Sequence, residues 1–202
     1  MWKLVVLLVA LAVAVPGAKE PDTSYVLRLV SYYGIAHGCP ISATTLLTSR
    51  HVATRERSTG LQAIPMIWAD GRGETGSAWM LDYDVRRDLA LMRLEPPVAQ
   101  WYALAPQAPV IGERVMMVGF NLSGELEPKV IHAKVTNVIG AHVVLSEKGL
   151  PGFSGTCVLN AQNEVVGIFQ WAIGPPGEPP RRGVAAGVWA GWGAVDWLPP
   201  SS

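Results

Sequence analysis

A serine flanked closely by glycines has the clearest chemical potential of any residue in this sequence. Ser154 stands in the tetrapeptide Gly152-Phe153-Ser154-Gly155. Glycine permits backbone conformations that other residues avoid, so the N–H groups of such a turn can approach a reacting carbonyl group. A serine hydroxyl is a weak nucleophile at neutral pH and needs a base that takes its proton. The tetrapeptide therefore indicates acyl-transfer chemistry if the chain brings a base to Ser154.

A histidine and an aspartate upstream of Ser154 could complete such a site. His51 follows the strand-like segment Leu46-Leu47-Thr48, and Asp88 opens the run Leu89 to Leu94. A neutral imidazole could accept the serine proton, and a carboxylate would fix the imidazole tautomer and stabilise the imidazolium. We take His51 as the candidate base, Asp88 as its orienting partner and Ser154 as the candidate nucleophile.

Each of these signals has a simpler structural explanation when taken alone. An aspartate at the start of a strand often caps backbone N–H groups, and a Gly-x-Ser-Gly sequence can be an ordinary corner between strands. Asp82 and Asp84 belong to the turn that precedes Asp88. The other histidines, to which we assign no chemical role, are His37, His132 and His142. The combination of three segments, in this chain order, favours catalysis.

Short apolar or alternating runs recur along the chain, whereas helical periodicity is nearly absent. About eleven such runs, rich in Val, Ile, Leu and aromatic residues, are separated by Gly, Pro, Asn and Asp. This spacing predicts an all-β protein, built as a sandwich or a barrel. We expect one short terminal helix over Ala194 to Leu198. The proline-rich stretch Pro96 to Pro109 is the best place for a linker between two β lobes, which we assign to residues 19–108 and 109–202.

The first residues have the pattern of an export signal. Lys3 precedes an unbroken apolar run from Leu4 to Val15, and Pro16-Gly17-Ala18 ends it. The run is shorter than the roughly 20 residues that span a bilayer as a helix. We therefore expect residues 1–18 to be a cleaved signal peptide, and the mature protein to be secreted or periplasmic without stable membrane insertion. The alternative is an uncleaved N-terminal membrane anchor.

The remaining composition argues against several classes of partner. The formal net charge is +0, from 16 Lys+Arg and 16 Asp+Glu residues. This balance gives no basis for binding nucleic acid or an anionic membrane surface. The sequence has no metal-ligand spacing, phosphate loop or cofactor fingerprint, and we expect neither a metal nor a cofactor.

The chain contains two cysteines, Cys39 and Cys157. An oxidising compartment would favour a single disulfide bond between them. Cys39 lies twelve residues before His51, and Cys157 lies three residues after Ser154. Such a bond would therefore tie the base-bearing segment to the nucleophile turn. Two separate buried thiols are the alternative.

Three segments together resemble the serine peptidases of the trypsin/chymotrypsin fold, and especially their bacterial HtrA-type branch. The segment Leu47-Thr48-Ser49-Arg50-His51-Val52 resembles the family's Leu-Thr-x-x-His-Val, and Asp88 to Leu94 resembles its Asp-Leu-Ala-Leu-x-x-Leu. Gly152 to Thr156 corresponds to its Gly-Asn-Ser-Gly-Gly. The likeness runs from about Tyr25 to Leu198 and implies two Greek-key β-barrels of the chymotrypsin-like type.

The resemblance implies a role for each matched residue in the hydrolysis of a polypeptide substrate. His51 would be the general base, Asp88 its orienting partner and Ser154 the nucleophile, with the backbone N–H groups of Gly152 and Ser154 as the oxyanion hole. Phe153 stands where trypsin-type zymogens place an aspartate that receives a newly cut N-terminus. We therefore expect no activation by N-terminal trimming, and we expect a stand-alone peptidase domain without a PDZ domain.

The resemblance also implies a primary substrate pocket beside the serine, around Lys148, Gln170, Trp171, Ala172 and Gly187. Ala172 and Gly187 would be small wall residues, and Lys148 would lie near the base. An inward Lys148 would favour an acidic substrate residue, whereas an outward one would favour a small or medium apolar residue. Lysine is usually solvated, which favours the apolar preference. Gln170 replaces a serine of the chymotrypsin type, and we expect it to alter the support around the triad aspartate.

A catalytically silent binding module on the same fold is the rival interpretation, because a fold does not fix a function. The departures at Phe153, Thr156 and Gln170 support it. An α/β-hydrolase is disfavoured, because Thr156 stands where its nucleophile elbow needs glycine and no histidine follows Ser154.

Overall fold

The structure is a computed structural model that describes residues 21–57, 60–120 and 128–189. Strands dominate these ranges, together with a short 3-10 helix over Thr23–Tyr25 and one α-helical turn. None of the helices in these ranges has the length and apolarity that crossing a membrane requires. The expected signal peptide (1–18) and terminal helix (194–198) lie outside the described residues.

The first half of the chain forms a closed antiparallel barrel with the strand order β1-β2-β3-β8-β7-β6. Its strands are β1 (Leu27–Ser31), β2 (Gly34–Pro40), β3 (Thr45–Ser49), β6 (Met66–Ala69), β7 (Thr75–Asp84) and β8 (Leu89–Glu95). Between β3 and β6 the chain forms the helical turn α1 (Arg50–Ala53) and the hairpin β4 (Thr54–Arg57) and β5 (Gly60–Ala63). Helix α1 is therefore the first element after β3.

The second half forms another closed antiparallel barrel, with the order β10-β11-β14-β13-β12-β9. Its strands are β9 (Arg114–Phe120), β10 (Pro128–Ile139), β11 (His142–Leu145), β12 (Cys157–Leu159), β13 (Val165–Ile173) and β14 (Arg182–Gly187). In each barrel the third strand pairs with the last one, β3 with β8 and β11 with β14, which is a connection of the Greek-key type. The prediction of an all-β protein is confirmed. The expected lobe boundary at residues 108 and 109 falls between the barrels and stays a prediction.

The sequence analysis did not predict the three strands β2, β4 and β5, and the burial pattern of their residues explains why. Strand β2 contains Gly, His and Pro, and its last five residues are all buried, so it shows no alternation of apolar and polar residues. Strands β4 and β5 form a separate hairpin outside both barrels, and β5 is exposed along its length. A half-buried strand would have produced the alternation on which the prediction relied.

Three apolar cores stabilise the two lobes. One fills the first barrel around Leu46 and Trp68, and another fills the second barrel around Met117 and Leu145. The third joins the barrels and includes Cys39 and Cys157. These cysteines form a disulfide bond with a Cα–Cα distance of 5.1 Å, and both are fully buried. The expected disulfide bond is confirmed, and it links β2 of the first barrel to β12 of the second.

Removal of this disulfide should weaken the contact between the barrels. The cysteines are 118 residues apart in sequence, and loss of a native disulfide that closes a long loop typically lowers the free energy of unfolding by about 2–5 kcal/mol. We expect the double variant Cys39→Ala/Cys157→Ala to melt at a clearly lower temperature, and wild type in reductant to shift in the same direction. Identical melting curves for the double variant and oxidised wild type would contradict this prediction.

Candidate active site

His51 and Asp88 lie next to each other because the strands before and after them pair. His51 lies on α1, directly after β3, and Asp88 directly precedes β8, with Ser49 opposite Leu89 in the β3–β8 ladder. His51 Nδ1 lies 2.6 Å from Asp88 Oδ2, and the His51 backbone N–H donates to Asp88 Oδ1 at 3.0 Å. A proton on Nδ1 satisfies the carboxylate and leaves Nε2 as the basic nitrogen.

Several contacts hold Asp88 in a conformation that residues other than glycine seldom adopt. Its φ is 54°, in the left-handed region, which costs on the order of 1 kcal/mol or more for such a residue. The Asp88 carbonyl accepts the Arg50 N–H at 2.7 Å and the Gln170 side-chain amide at 3.1 Å. The same amide donates to the Arg87 carbonyl, and Arg50 Nε lies 3.6 Å from Asp88 Oδ1. Gln170 therefore supports the aspartate through the backbone of its turn.

The turn that precedes Ser154 presents backbone N–H groups that have no partner in the described part of the chain. The Phe153 N–H donates to the Leu150 carbonyl at 3.0 Å, and Gly152 has a φ of 91°. Together with Pro151 at the second position, these features define a type II turn. Neither the Gly152 N–H nor the Ser154 N–H donates a hydrogen bond to a described residue. Both groups remain available to an anionic oxygen beside Ser154.

Gly155 brings this turn against the first barrel. Its φ is 88°, and an added Cβ would collide with the His37 carbonyl oxygen and with Thr48 Oγ1. The Gly155 N–H donates to the Phe169 carbonyl at 2.8 Å, and the His37 N–H donates to the Ser154 carbonyl at 3.0 Å. Glycine is therefore required at this position for its conformation and for its lack of a side chain.

The buried His37 side chain holds the turn that precedes Ser154 at the Gly152 carbonyl. The Phe120 N–H donates to His37 Nε2 at 2.6 Å, so Nε2 is the acceptor and Nδ1 carries the proton. His37 Nδ1 then donates to the Gly152 carbonyl at 2.6 Å. The ring stacks on Phe120 and meets Phe153 edge-on. Sequence analysis assigned His37 no role, because its partners Phe120 and Gly152 lie far along the chain.

The His37 ring is neutral in this environment. The ring is fully buried, and this desolvation is the main reason why its pKa falls from 6.5 to about 4. The hydrogen bond to the Gly152 carbonyl acts in the opposite direction and raises the pKa. The positive charge of Arg28 lowers the pKa further. A neutral ring keeps Nε2 as the acceptor that the Phe120 N–H requires.

Ser154 and His51 face the same cavity from opposite barrels. The cavity has a volume of about 460 Å³ and is lined by both residues and by Gly152. The Ser154 hydroxyl donates to the Gln170 carbonyl at 3.0 Å, and within the described residues no hydrogen bond joins it to His51. A change of the serine χ1 rotamer would redirect the hydroxyl.

The residues expected around the substrate pocket fall into separate groups. Lys148 is exposed and Gln170 is buried beneath Asp88, whereas the Trp171 side chain is 40% exposed. Ala172 follows Trp171 on β13. The outward position of Lys148 fits the apolar alternative of the sequence analysis.

Gly187 does not lie near Ala172. It pairs with Gly167, five residues before Ala172 and about 16 Å away along β13, and it packs against the Trp189 ring. Gly183 is the residue that pairs with Ala172. The small residue opposite Ala172 is therefore Gly183.

The neutral state of His37 predicts a pH-dependent stability. Below about pH 6.5 the unfolded chain binds a proton at His37 while the native ring stays neutral until about pH 4. Folding free energy is therefore lost as the pH falls through this window, by up to roughly 3 kcal/mol, and nothing is lost above it. Denaturant unfolding at pH 7, 5.5 and 4 should show a smaller decline for His37→Asn, whose amide can still donate to Gly152. Parallel declines in wild type and variant would refute this assignment.

Comparison with known proteins agrees with this architecture. Residues 36–168, more than half of the chain, match the family model of the trypsin-like peptidase domain. No curated protein sequence matches. The inactive form of a serine-to-alanine mutant of Rv3671c from M. tuberculosis H37Rv superimposes with a TM-score of 0.66 at 15% identity, over 82% of both chains. A serine endoprotease from Yersinia pestis gives 0.65 at 19% identity, over 82% of this chain and 59% of that one. These identities show a shared fold, and the family match shows that this chain belongs to the trypsin-like peptidase domain family.

Proposed function

We propose that this protein is an exported serine endopeptidase that hydrolyses peptide bonds through His51, Asp88 and Ser154. One observation carries the proposal: the Asp88-oriented imidazole lines the cavity that Ser154 and Gly152 also line, and the Gly152 N–H has no hydrogen-bond partner among the described residues. This arrangement brings a base, a nucleophile and oxyanion donors to one cleft, and these are the groups that acyl transfer needs.

The first half of the reaction uses Ser154 as the nucleophile. Its hydroxyl turns from the Gln170 carbonyl towards His51 Nε2, which takes the proton as Oγ attacks the substrate carbonyl carbon. The Gly152 and Ser154 N–H groups stabilise the resulting oxyanion, and Asp88 stabilises the imidazolium. The imidazolium then gives its proton to the leaving amine as the C–N bond breaks, and an acyl-enzyme remains.

The second half of the reaction uses water. His51 Nε2 takes a proton from a water molecule that attacks the ester carbonyl, and the second oxyanion binds to the same N–H groups. His51 then returns the proton to Ser154 Oγ as the ester bond breaks and the acid product leaves. Asp88 keeps its charge throughout both halves.

An extended peptide has a strand edge on which to bind. Strand β12 pairs with β13 only up to Ile168, whereas β14 covers the other edge as far as Ile173. Among the described strands, none pairs with the remaining edge of β13 at Gln170 to Ile173. A substrate strand could add there through main-chain hydrogen bonds, which would lead its carbonyl towards Ser154.

Export is part of the proposal. The apolar run in residues 1–18 has the signal-peptide pattern, and the buried Cys39–Cys157 bond fits an oxidising compartment. Secretion or periplasmic delivery accounts for both features. An N-terminal membrane anchor is the alternative.

A silent peptide-binding module is the second candidate function. The observation that favours it is the Ser154 hydroxyl, which donates to the Gln170 carbonyl and not to His51. Such a module would bind an extended peptide along the same edge of β13 without cleaving it. Both candidates use one cleft, so covalent chemistry at the serine separates them.

A fluorophosphonate reagent should label the mature wild-type protein at Ser154. Ser154→Ala should lose labelling completely, and His51→Ala should lower the labelling rate by a factor on the order of 10⁴. Thr156→Ser, which keeps a hydroxyl beside the turn, serves as a matched control. A folded wild type that is never labelled would leave only the binding module, and labelling of Ser154→Ala would refute the choice of nucleophile.

The variant Asp88→Asn should distinguish a role of Asp88 in orienting His51 from a role in binding the substrate. The amide cannot stabilise an imidazolium and favours the wrong His51 tautomer, so kcat should fall by about 10⁴-fold while KM changes little. Asp84→Asn, at the last residue of β7, should retain most of the activity. Steady-state kinetics on a peptide substrate measure kcat and KM for both variants. If the kcat of Asp88→Asn lies within tenfold of the wild-type value, Asp88 has no part in the mechanism.

A further inference from the structure

The cavity lined by His51 and Ser154 lies mainly against the first half of the chain. Apart from Gly152 and Ser154, its described lining residues come from β1, β2 and the turn between them, from α1 and β4, and from the start of β6 and the residues before it. Its volume of about 460 Å³ lies within the range of about 300–1,000 Å³ that ligand pockets have. The cavity therefore has room for more of a substrate than the bond that Ser154 attacks.

The path of an extended substrate places this cavity on the leaving-group side of the cleaved bond. The acyl side would pair with the free edge of β13 at Gln170 to Ile173, in the second barrel. Ser154 lies beside this edge, because its hydroxyl donates to the Gln170 carbonyl. No described residue of β13 lines the cavity. An extended chain that passes Ser154 and leaves β13 therefore continues into the cavity against the first barrel.

Arg55 gives this cavity a positive charge. Among the described lining residues, it is the one with a permanent charge, and none is a carboxylate. Arg55 Cζ lies 4.6 Å from the centroid of the Tyr33 ring, and Arg55 forms no ion pair with another described residue. A guanidinium that lies over an aromatic ring keeps the N–H groups at its edge for a bidentate bond to a carboxylate. The cavity is thus suited to a substrate with a carboxylate.

The backbone holds Arg55 at a defined place relative to His51. Thr54 Oγ1 donates to the Arg50 carbonyl at 2.9 Å, which joins β4 to the helical turn that carries His51. Arg55 itself pairs with Gln62 in the β4–β5 hairpin. The aromatic ring beside the guanidinium restricts the side chain further. Little conformational freedom then remains for Arg55 to lose when a carboxylate binds.

We propose that Arg55, lying over Tyr33, is a specificity-determining residue that binds a substrate carboxylate within the first three residues after the cleaved bond. The carboxylate is an Asp or Glu side chain, or the C-terminus of a short leaving peptide. The proposal rests on the proposed peptidase function and deepens it. Because Arg55 is exposed, the ion pair forms at the rim of the cavity and salt weakens it.

Peptides with a common acyl side test this site on the mature wild-type protein. Glutamate at the first, second or third position after the cleaved bond is compared with glutamine at the same position. At low ionic strength, kcat/KM should be about three- to tenfold higher for glutamate at one or more of these positions. The difference should disappear in about 1 M salt, where the Debye length is about 3 Å. Peptides that end at these positions with a free or an amidated C-terminus distinguish the two sources of the carboxylate.

Variants of the cavity lining test the role of Arg55 itself. Arg55→Gln should abolish the preference for a carboxylate, and Arg55→Glu should reverse it, so that lysine peptides exceed glutamate peptides. Tyr33→Leu should reduce the preference and keep its sign. Arg93→Gln is the matched control, because it removes the same charge from an exposed position of β8 outside the cavity lining, and it should keep the full preference. Each ratio compares two peptides on one protein, so a general loss of activity does not affect it.

Several results would overturn the proposal. They are a wild type with no preference for a carboxylate at any of these positions, an Arg55→Gln variant that keeps the preference, and an Arg93→Gln variant that loses it. Melting curves establish that each variant folds, and Arg55→Glu decides the outcome if Arg55→Gln does not. A wild type that fluorophosphonate labels and that cleaves the peptides, but shows one of these results, refutes the carboxylate site alone. A folded wild type that is neither labelled nor active on any peptide refutes the peptidase function and the carboxylate site together.

Discussion

The close approach of the two barrels at Gly155 is the constraint on which the site depends. The position needs a left-handed backbone and leaves no room for a Cβ against the His37 carbonyl. Because glycine meets both demands, the His37 N–H can donate to the Ser154 carbonyl across the interface between the two barrels. His51 and Asp88 belong to the first barrel and Ser154 to the second. The packing at one glycine thus influences the separation of His51 and Ser154.

Buried neutral groups support the backbone of both turns of the site, in addition to the ion pair between Arg50 and Asp88. His37 donates to the Gly152 carbonyl and Gln170 donates to the Asp88 carbonyl, so each turn is held through its backbone. Phe153 is fully buried against the His37 ring, and its position involves no ion pair. Neutral hydrogen bonds in a dry interior are strong and need no counter-ion. The geometry of the nucleophile turn therefore forms together with the fold.

Motifs that are local in sequence were predictable, whereas contacts set by strand register were not. His51 and Asp88 each lie in a short recognisable motif, and the sequence contains just two cysteines; the structure brings the members of each pair together. Gly187 was expected to be a small wall residue of the pocket together with Ala172, but Ala172 pairs with Gly183, four residues before Gly187. A one-residue shift changes every later partner, and no local pattern reports it. His37 escaped for a related reason, since its role depends on a barrel that lies far along the chain.

The resting position of the serine hydroxyl does not decide between an enzyme and a binding module. Its bond to the Gln170 carbonyl contributes about 1 kcal/mol, which a substrate or its transition state readily offsets. The features that a silent module would have no use for are more informative. They are the left-handed Asp88 held against His51, and the Gly152 and Ser154 N–H groups without a partner among the described residues. A left-handed backbone at a residue other than glycine lowers stability, and the proposed acyl transfer would give both features a function.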